Sequence, residues 1–418
     1  MKRAGLSLVI VAIGALQAVA APPTIYNLGT LPGTYSQGYA VNDRGQVAGT
    51  SGHAFLYIGT PGSGGAMADL GTLGGMSNGS EGRDINAAGQ VVGYSDTSDG
   101  VFHAFLYTGT PGSGGAMADL GTLPGGLHSY ANGINDSGQV VGFGYHINTL
   151  GLSEASAFLY TGTPGSGGVM HDLGTLGGTE SSAAAINDSG KITGGAQTSS
   201  GVAHAFLYTG TPGVNGQMID LGTLSGGSSS GGAAINTSGQ VAGAAYTPNG
   251  RSRAFLYTGT PGVDGQMFDL GTLPGMFDSG GSAINDRGQV AGYSQGVSAF
   301  FRRAFLYTGT PGVDGQMIDL DAWLDANNPT EGAKWQLNAA HALSNTGLIT
   351  GDGFYNDGPG GLTDGSRDFL LDASALVVPE PASAILLAIA GLAMLARRRP
   401  FAIGSSSSVI SNEQKGPL

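Results

Sequence analysis

Seven histidines, two serines in Gly-x-Ser-x-Gly strings and two rings of repeated Asp and Asn are the side chains here with chemistry to offer. The histidines show no metal-ligand spacing, and cysteine is absent, so a thiolate zinc site is excluded. No cofactor motif is present. The strings at residues 75–79 and 227–231 would form nucleophile elbows only on a strand-turn-helix corner, and both lie in Gly/Ser loops. Asp69, Asp119, Asp172, Asp220, Asp269 and Asp319 share one repeat position, with Asn27 as the seventh. Asn42, Asn86, Asn135, Asn187, Asn236 and Asn285 share another. A carboxylate ring could hold cations, but calcium needs several oxygens converging on one point. Side chains that satisfy backbone groups at strand ends explain the same pattern. His128, His146, Asp352 and Asp357 remain as acid–base candidates for an enzyme.

The elements that must position these residues are repeats. AFLYTGTPG begins at Ala104, Ala157, Ala205, Ala254 and Ala304, AFLYIGTPG at Ala54, and a degenerate DFLL at Asp368. The period is about 50 residues, which signals a solenoid, propeller or array. Each unit holds four phrases, such as SYANGIND, GQVVGFG, AFLYTG and MHDLGTL. The first two are joined by Asp-x-Gly turns (Asp43-Arg44-Gly45, Asp136-Ser137-Gly138), which is hairpin chemistry. AFLY and QVVG are continuously apolar, as in a strand buried on both faces. Four strands in seven units predict an all-β, seven-bladed β-propeller of antiparallel blades. A solenoid is the structural alternative, though its rungs are usually shorter. IYNLGTL (residues 25–31) is a fourth-position phrase and DFLL a third-position one, so the N-terminal strand is expected to complete the last blade and close the ring.

The ends differ in composition from the body. Residues 1–20 pair Lys2 and Arg3 with an apolar run and small residues, the pattern of a secretory signal peptide; a membrane anchor is the alternative. Near the C-terminus, Pro379-Glu380-Pro381 precedes an apolar stretch and Arg397, Arg398 and Arg399. That tripartite order resembles the PEP-CTERM sorting signal of Gram-negative bacteria. The resemblance implies export to the cell surface or matrix and processing by an exosortase-type enzyme, with signal peptidase acting at the other end. The membrane is then met only through the apolar C-terminal helix before processing. Residues 400–418 continue past the arginines, where the family usually stops, and an uncut anchor is the alternative. The expected division is signal peptide 1–20, propeller 22–373, sorting segment 374–399 and a disordered tail 400–418. The body carries 10 basic and 27 acidic residues, the wrong sign for nucleic acid.

HAFLY, DLGTL and INDSGQVVG together resemble the HAF repeat of bacterial extracellular proteins, named for the His-Ala-Phe at His53, His103 and His204. The family implies an exported propeller and no established chemistry. Ser156, Arg253 and Arg303 stand where other units have His, which argues against a repeated ligand.

Connections between strands two and three, and between four and one, vary in length or content, and both emerge on one face. Insertions in repeats map to a binding face. That face offers Phe143, Tyr145, His146, Tyr246, Arg251, Phe277, Phe301, Arg302 and Tyr355, a set suited to sugar or peptide; ordinary loop packing is the alternative. Residues 321–338 form an insertion with both tryptophans, read as closure packing or a channel plug, with Asp321 able to cap a one-turn helix. The expected function is a non-enzymatic binding or scaffolding propeller whose ligand is an extracellular polysaccharide. A secreted polysaccharide hydrolase or lyase is the alternative.

Overall fold

The computed structural model describes residues 22–31, 35–60, 63–74, 79–147, 151, 153–298, 301–358 and 365–377. The signal-peptide segment 1–20, the Pro379-Glu380-Pro381 motif, Arg397–Arg399 and the tail 400–418 lie outside them, as does Ser77 of the first Gly-x-Ser-x-Gly string.

Seven four-stranded antiparallel sheets form the seven blades of a β-propeller. The innermost strands are Gln37–Val41, Ser80–Ile85, Gly126–Ile134, Gly177–Ile186, Ser230–Ile235, Asp278–Ile284 and Trp335–Leu343. In six blades the four strands follow in chain order. In the seventh the outer strand is Ile25–Asn27, with Ile25 opposite Leu371 and Asn27 opposite Phe369.

The AFLY phrase explains the core. Phe55 and Tyr57 pack with Val41, Val47 and Leu370 toward one neighbouring blade; Ala54 and Leu56 pack with Ile85, Val91 and Phe105 toward the other. Both faces of this third strand are therefore buried, which is why its apolar run does not alternate. The phenylalanine is fully buried in all seven copies. Burying such a ring contributes roughly 1.5–3 kcal/mol each.

The insertion after the sixth blade folds as helix α1 (Leu320–Asn327) and helix α2 (Pro329–Gly332). The cap differs from the sequence expectation. Asp319 caps α1, accepting from the Asp321 and Ala322 N–H groups, while Asp321 accepts from Leu337 N–H and pairs with Arg303. α1 buries Leu320 and Leu324 in a cluster with Trp335 and Phe369, and Asn328 donates to the Pro23 carbonyl. Residues 374–377, assigned above to the sorting segment, form helix α3 (Ser374–Val377) and pack on the propeller: Val377 is buried, and Arg287 donates to its carbonyl.

Candidate functional site

The innermost strand of every blade carries a β-bulge, one residue too many for its partner strand. A bulge re-aims a side chain. In six blades it falls three residues before the repeated Asn, and the seventh blade has its own two irregularities, one of them around His341. The residues at this position read Tyr39, Arg83, Asn132, Ala184, Ala233, Ser282 and His341. They are partly exposed, on the strands that line the central channel, and no two of the first three are alike. Aligning the copies on their repeated Asn, with Ser344 as its counterpart in the seventh, makes this position visible in the sequence, and reading loop aromatics alone passes over it.

Three of them stack. Tyr39 lies against the His341 ring at 6.0 Å with planes 19° apart, and the Arg83 guanidinium sits over the Tyr39 ring at 4.5 Å and over the Tyr94 ring at 5.5 Å. Tyr94 meets Tyr130 and Phe102 edge-on, Tyr130 stacks on Phe143 at 4.9 Å, and Phe143 meets Tyr145 at 5.7 Å. The result is a rail of cations and aromatic rings across blades seven, one, two and three. Charged and aromatic groups in such contact stabilise by roughly 0.5–2 kcal/mol each.

The charges on the rail are paired. His341 Nε2 is 2.9 Å from Asp352, and its Nδ1 is 3.0 Å from the Gly38 carbonyl. Two acceptors on the two nitrogens require both to carry hydrogen. Burial works against the imidazolium, but Asp352 and the Gly38 carbonyl together raise its pKa above the usual histidine range. Arg83 pairs with Glu81 at 2.8 Å; burial alone would lower its pKa, and Glu81 with the Tyr94 hydroxyl reverses that. Burial, reinforced by Glu81, pushes the Tyr39 phenol up to about 12, and that phenol donates to Gln37.

The opposite wall is bare. Blades four and five carry Ala184 and Ala233 at the bulge position, Gly195 and Ala244 where Tyr94 stands, and Gly231 where Glu81 and Tyr130 stand. A Cβ built on Gly195 or on Gly231 meets nothing within 4 Å.

The residues expected on the variable face fall into separate groups. Phe143 and Tyr145 join the rail, and His146 lies 4.0 Å from Glu154. Arg251 stacks over Phe277 at 5.1 Å and reaches Asp278. Arg302 lies over Tyr293, and Phe301 is stacked by Arg303. Tyr246 is exposed at a strand end. Tyr355 points inward instead, 9 % exposed against Trp335 at 4.7 Å, because strand alternation turns Phe354 outward in its place. Of the acid–base candidates, only Asp352 meets a histidine; His128 accepts from Phe102 N–H, and Asp357 lies by Tyr355. Ser229, centre of the second Gly-x-Ser-x-Gly string, sits between two strands with its carbonyl bonded to Tyr246.

The repeated polar residues do structural work. Asp69, Asp119 and Asp220 each accept from the N–H two residues on and pair with His53, His103 and His204 at 2.9–3.0 Å. Arg253 takes the His position and pairs with Asp269 of the same ring, whereas Arg303 pairs with Asp321, two residues past the repeated Asp319. Each Asn of the other ring accepts within its own turn, and five of the six donate to the Asn carbonyl of the next blade, as Asn42 does to Asn86 and Asn86 to Asn135; Asn285, whose next copy carries Ser344, donates to Gln289. These turns rim a vestibule of about 270 Å³ on the uniform face. Val41, Ile85, Ile134, Ile186, Ile235, Ile284 and Leu343 also line it, each buried in the core between its own pair of blades, and none of the rail residues reaches it. The chain matches no family model and no curated protein sequence.

Proposed function

We propose that this chain is an exported, non-enzymatic binding propeller of the HAF-repeat type whose ligand is an extracellular polysaccharide. The rail of Tyr39, Arg83, Tyr94, Tyr130, Phe143 and Tyr145 carries the reading, because aromatic faces beside neutralised polar groups suit sugar rings. A lyase that uses a neutral histidine or a tyrosinate as its base is disfavoured here, because both nitrogens of His341 carry hydrogen and Tyr39 holds its proton to about 12. On a glycan array the purified protein should retain at least one polysaccharide without shortening it. Tyr130→Ala should weaken that retention about tenfold, since stacking on one ring is worth roughly 1–1.5 kcal/mol. Release of reducing or unsaturated ends would overturn the reading.

Export belongs to the same proposal. Residues 1–20 direct secretion, and the PEP-CTERM-like segment is processed by an exosortase-type enzyme in a Gram-negative envelope. Cleavage after Ala20 leaves Ile25–Asn27 near the new N-terminus, free to complete the seventh blade and close the ring. N-terminal sequencing of the released protein should read from Ala21, and its mass should lack the Arg397–Arg399 segment. A product found only in the cytoplasm with both ends intact would refute this.

A further inference from the structure

Two arginines lie over a tyrosine at the same repeat position, and they differ in their acids. In blade two Arg83 sits over Tyr94 at 5.5 Å and is held at 2.8 Å by Glu81, which stands directly opposite Tyr94. In blade six Tyr293 takes the Tyr94 position, opposite Gly280, and Arg302 lies over its ring at 4.6 Å. A Cβ on Gly280 would meet the Tyr293 ring at 2.9 Å, so the strand has no room for an acid at that point. Arg302 Nε donates to the Gln295 side chain at 2.9 Å, and among the described residues no carboxylate pairs with this guanidinium. The acids of the neighbourhood are taken. Asp278 holds Arg251 and the Ser252 N–H, and Asp321 holds Arg303 and the Leu337 N–H. Arg302 is partly exposed, between the exposed rings of Phe301, which precedes it, and Phe277, whose N–H bonds to the Gln295 carbonyl. Blade six adjoins blade seven, where the rail begins.

We infer that blade six holds a second subsite, in which the Arg302 guanidinium takes the carboxylate of a uronic acid unit of the polysaccharide. The ligand supplies there the acid that Glu81 supplies in blade two. A guanidinium presents parallel N–H donors that match a carboxylate, and Gln295 occupies only Nε, which leaves the terminal nitrogens for the ligand. Stacking on Tyr293 holds the plane of the fork. The body as a whole is acidic, but Arg251, Arg253, Arg302 and Arg303 are four of its 10 basic residues. Exposed charges farther off than a Debye length of about 8 Å are largely screened at physiological ionic strength, so this local cluster outweighs the net charge where the polymer docks.

This inference rests on the polysaccharide-binding reading, and the experiment separates the two. Polygalacturonate, alginate and hyaluronate are each offered to the full protein beside the same polymer with its carboxyl groups reduced to alcohols. At least one should bind about tenfold tighter in the native form than in the reduced form, and the difference should shrink at high salt. Equal binding of both forms, or retention of neutral glycans alone, overturns the inference and leaves the reading intact. Retention of no glycan overturns both. Arg302→Gln should bind the native polymer no better than the reduced one, at an unchanged melting temperature, because it breaks no ion pair among the described residues. Arg302→Lys keeps the charge without the fork and should recover little of the preference. A folded Arg302→Gln variant that keeps the preference places the carboxylate elsewhere and refutes the inference. Dextran sulfate bound as tightly as the best uronate polymer would refute a fork that selects carboxylate.

Discussion

Asp368→Ala should make the protein more stable at pH 8, by about 2–4 kcal/mol. The position belongs to the AFLY phrase, and the other six copies carry a fully buried alanine there: Ala54, Ala104, Ala157, Ala205, Ala254 and Ala304. In the seventh blade the aspartate is also fully buried, and neither carboxylate oxygen has a partner with hydrogen-bond geometry. Burial pushes its pKa from 3.8 to about 7; Ser36, the Gly38 backbone and His341 pull the other way without cancelling it. The folded state thus holds a proton that the unfolded chain releases near pH 4. Stability from this group is full below that point and falls as pH rises, until the penalty is complete above about 7. Asp84, likewise pushed up to about 7 by burial despite donors from Ile85 and Ile134, adds a second falling arm. Denaturant unfolding between pH 5 and 8 should show a wild-type decline whose slope is roughly halved in the variant. A variant less stable than wild type at pH 8 would mean that the carboxylate is satisfied in its site.

Gly93→Ala should destabilise by about 3 kcal/mol or more, while Gly195→Ala changes stability by less than about 0.5 kcal/mol. Gly93 ends the QVVG phrase, and a Cβ there would overlap the Glu81 carbonyl of the innermost strand. The same overlap arises at Gly49 with Gln37, Gly142 with Tyr130, Gly194 with Ser182, Gly243 with Gly231, Gly292 with Gly280 and Gly351 with Ala339. In each blade this glycine lies next to the bulge, where the carbonyl approaches the second strand and leaves no room for a side chain. Gly195 is one residue further along, on the channel side, where the space is open. Thermal melts of the two variants compare the positions directly; equal melting temperatures would remove the bulge as the reason for the repeated glycine.

The fold was legible because its signals are local and repeated. AFLY must be buried on both faces, and Asp-x-Gly must turn, so four strands per unit followed from phrases of a few residues each. The repeated Asn and Asp were legible as backbone-satisfying groups for the same reason: their partners lie within their own turn or strand pair, or in the same turn of the next copy. The helix cap was misplaced by two residues, since Asp319 and Asp321 look alike in sequence and only the packing of α1 on Trp335 separates them. Tyr355 was misread because its orientation depends on which face of its strand meets the insertion.

The candidate site was not legible in the same way. Tyr39, Arg83 and His341 are far apart in the chain and share no motif, and each looks like a single departure from the repeat. The closed ring sets blade seven beside blade one, which brings His341 onto Tyr39, and all three residues stand at the bulges of the innermost strands. Sequence alone determined that seven like units would stack their apolar strands, because burial of the same phrase is repeated in every copy. Tertiary structure alone decided which of the unlike residues meet, because contacts across a closed ring depend on where each bulge points and which blades are neighbours.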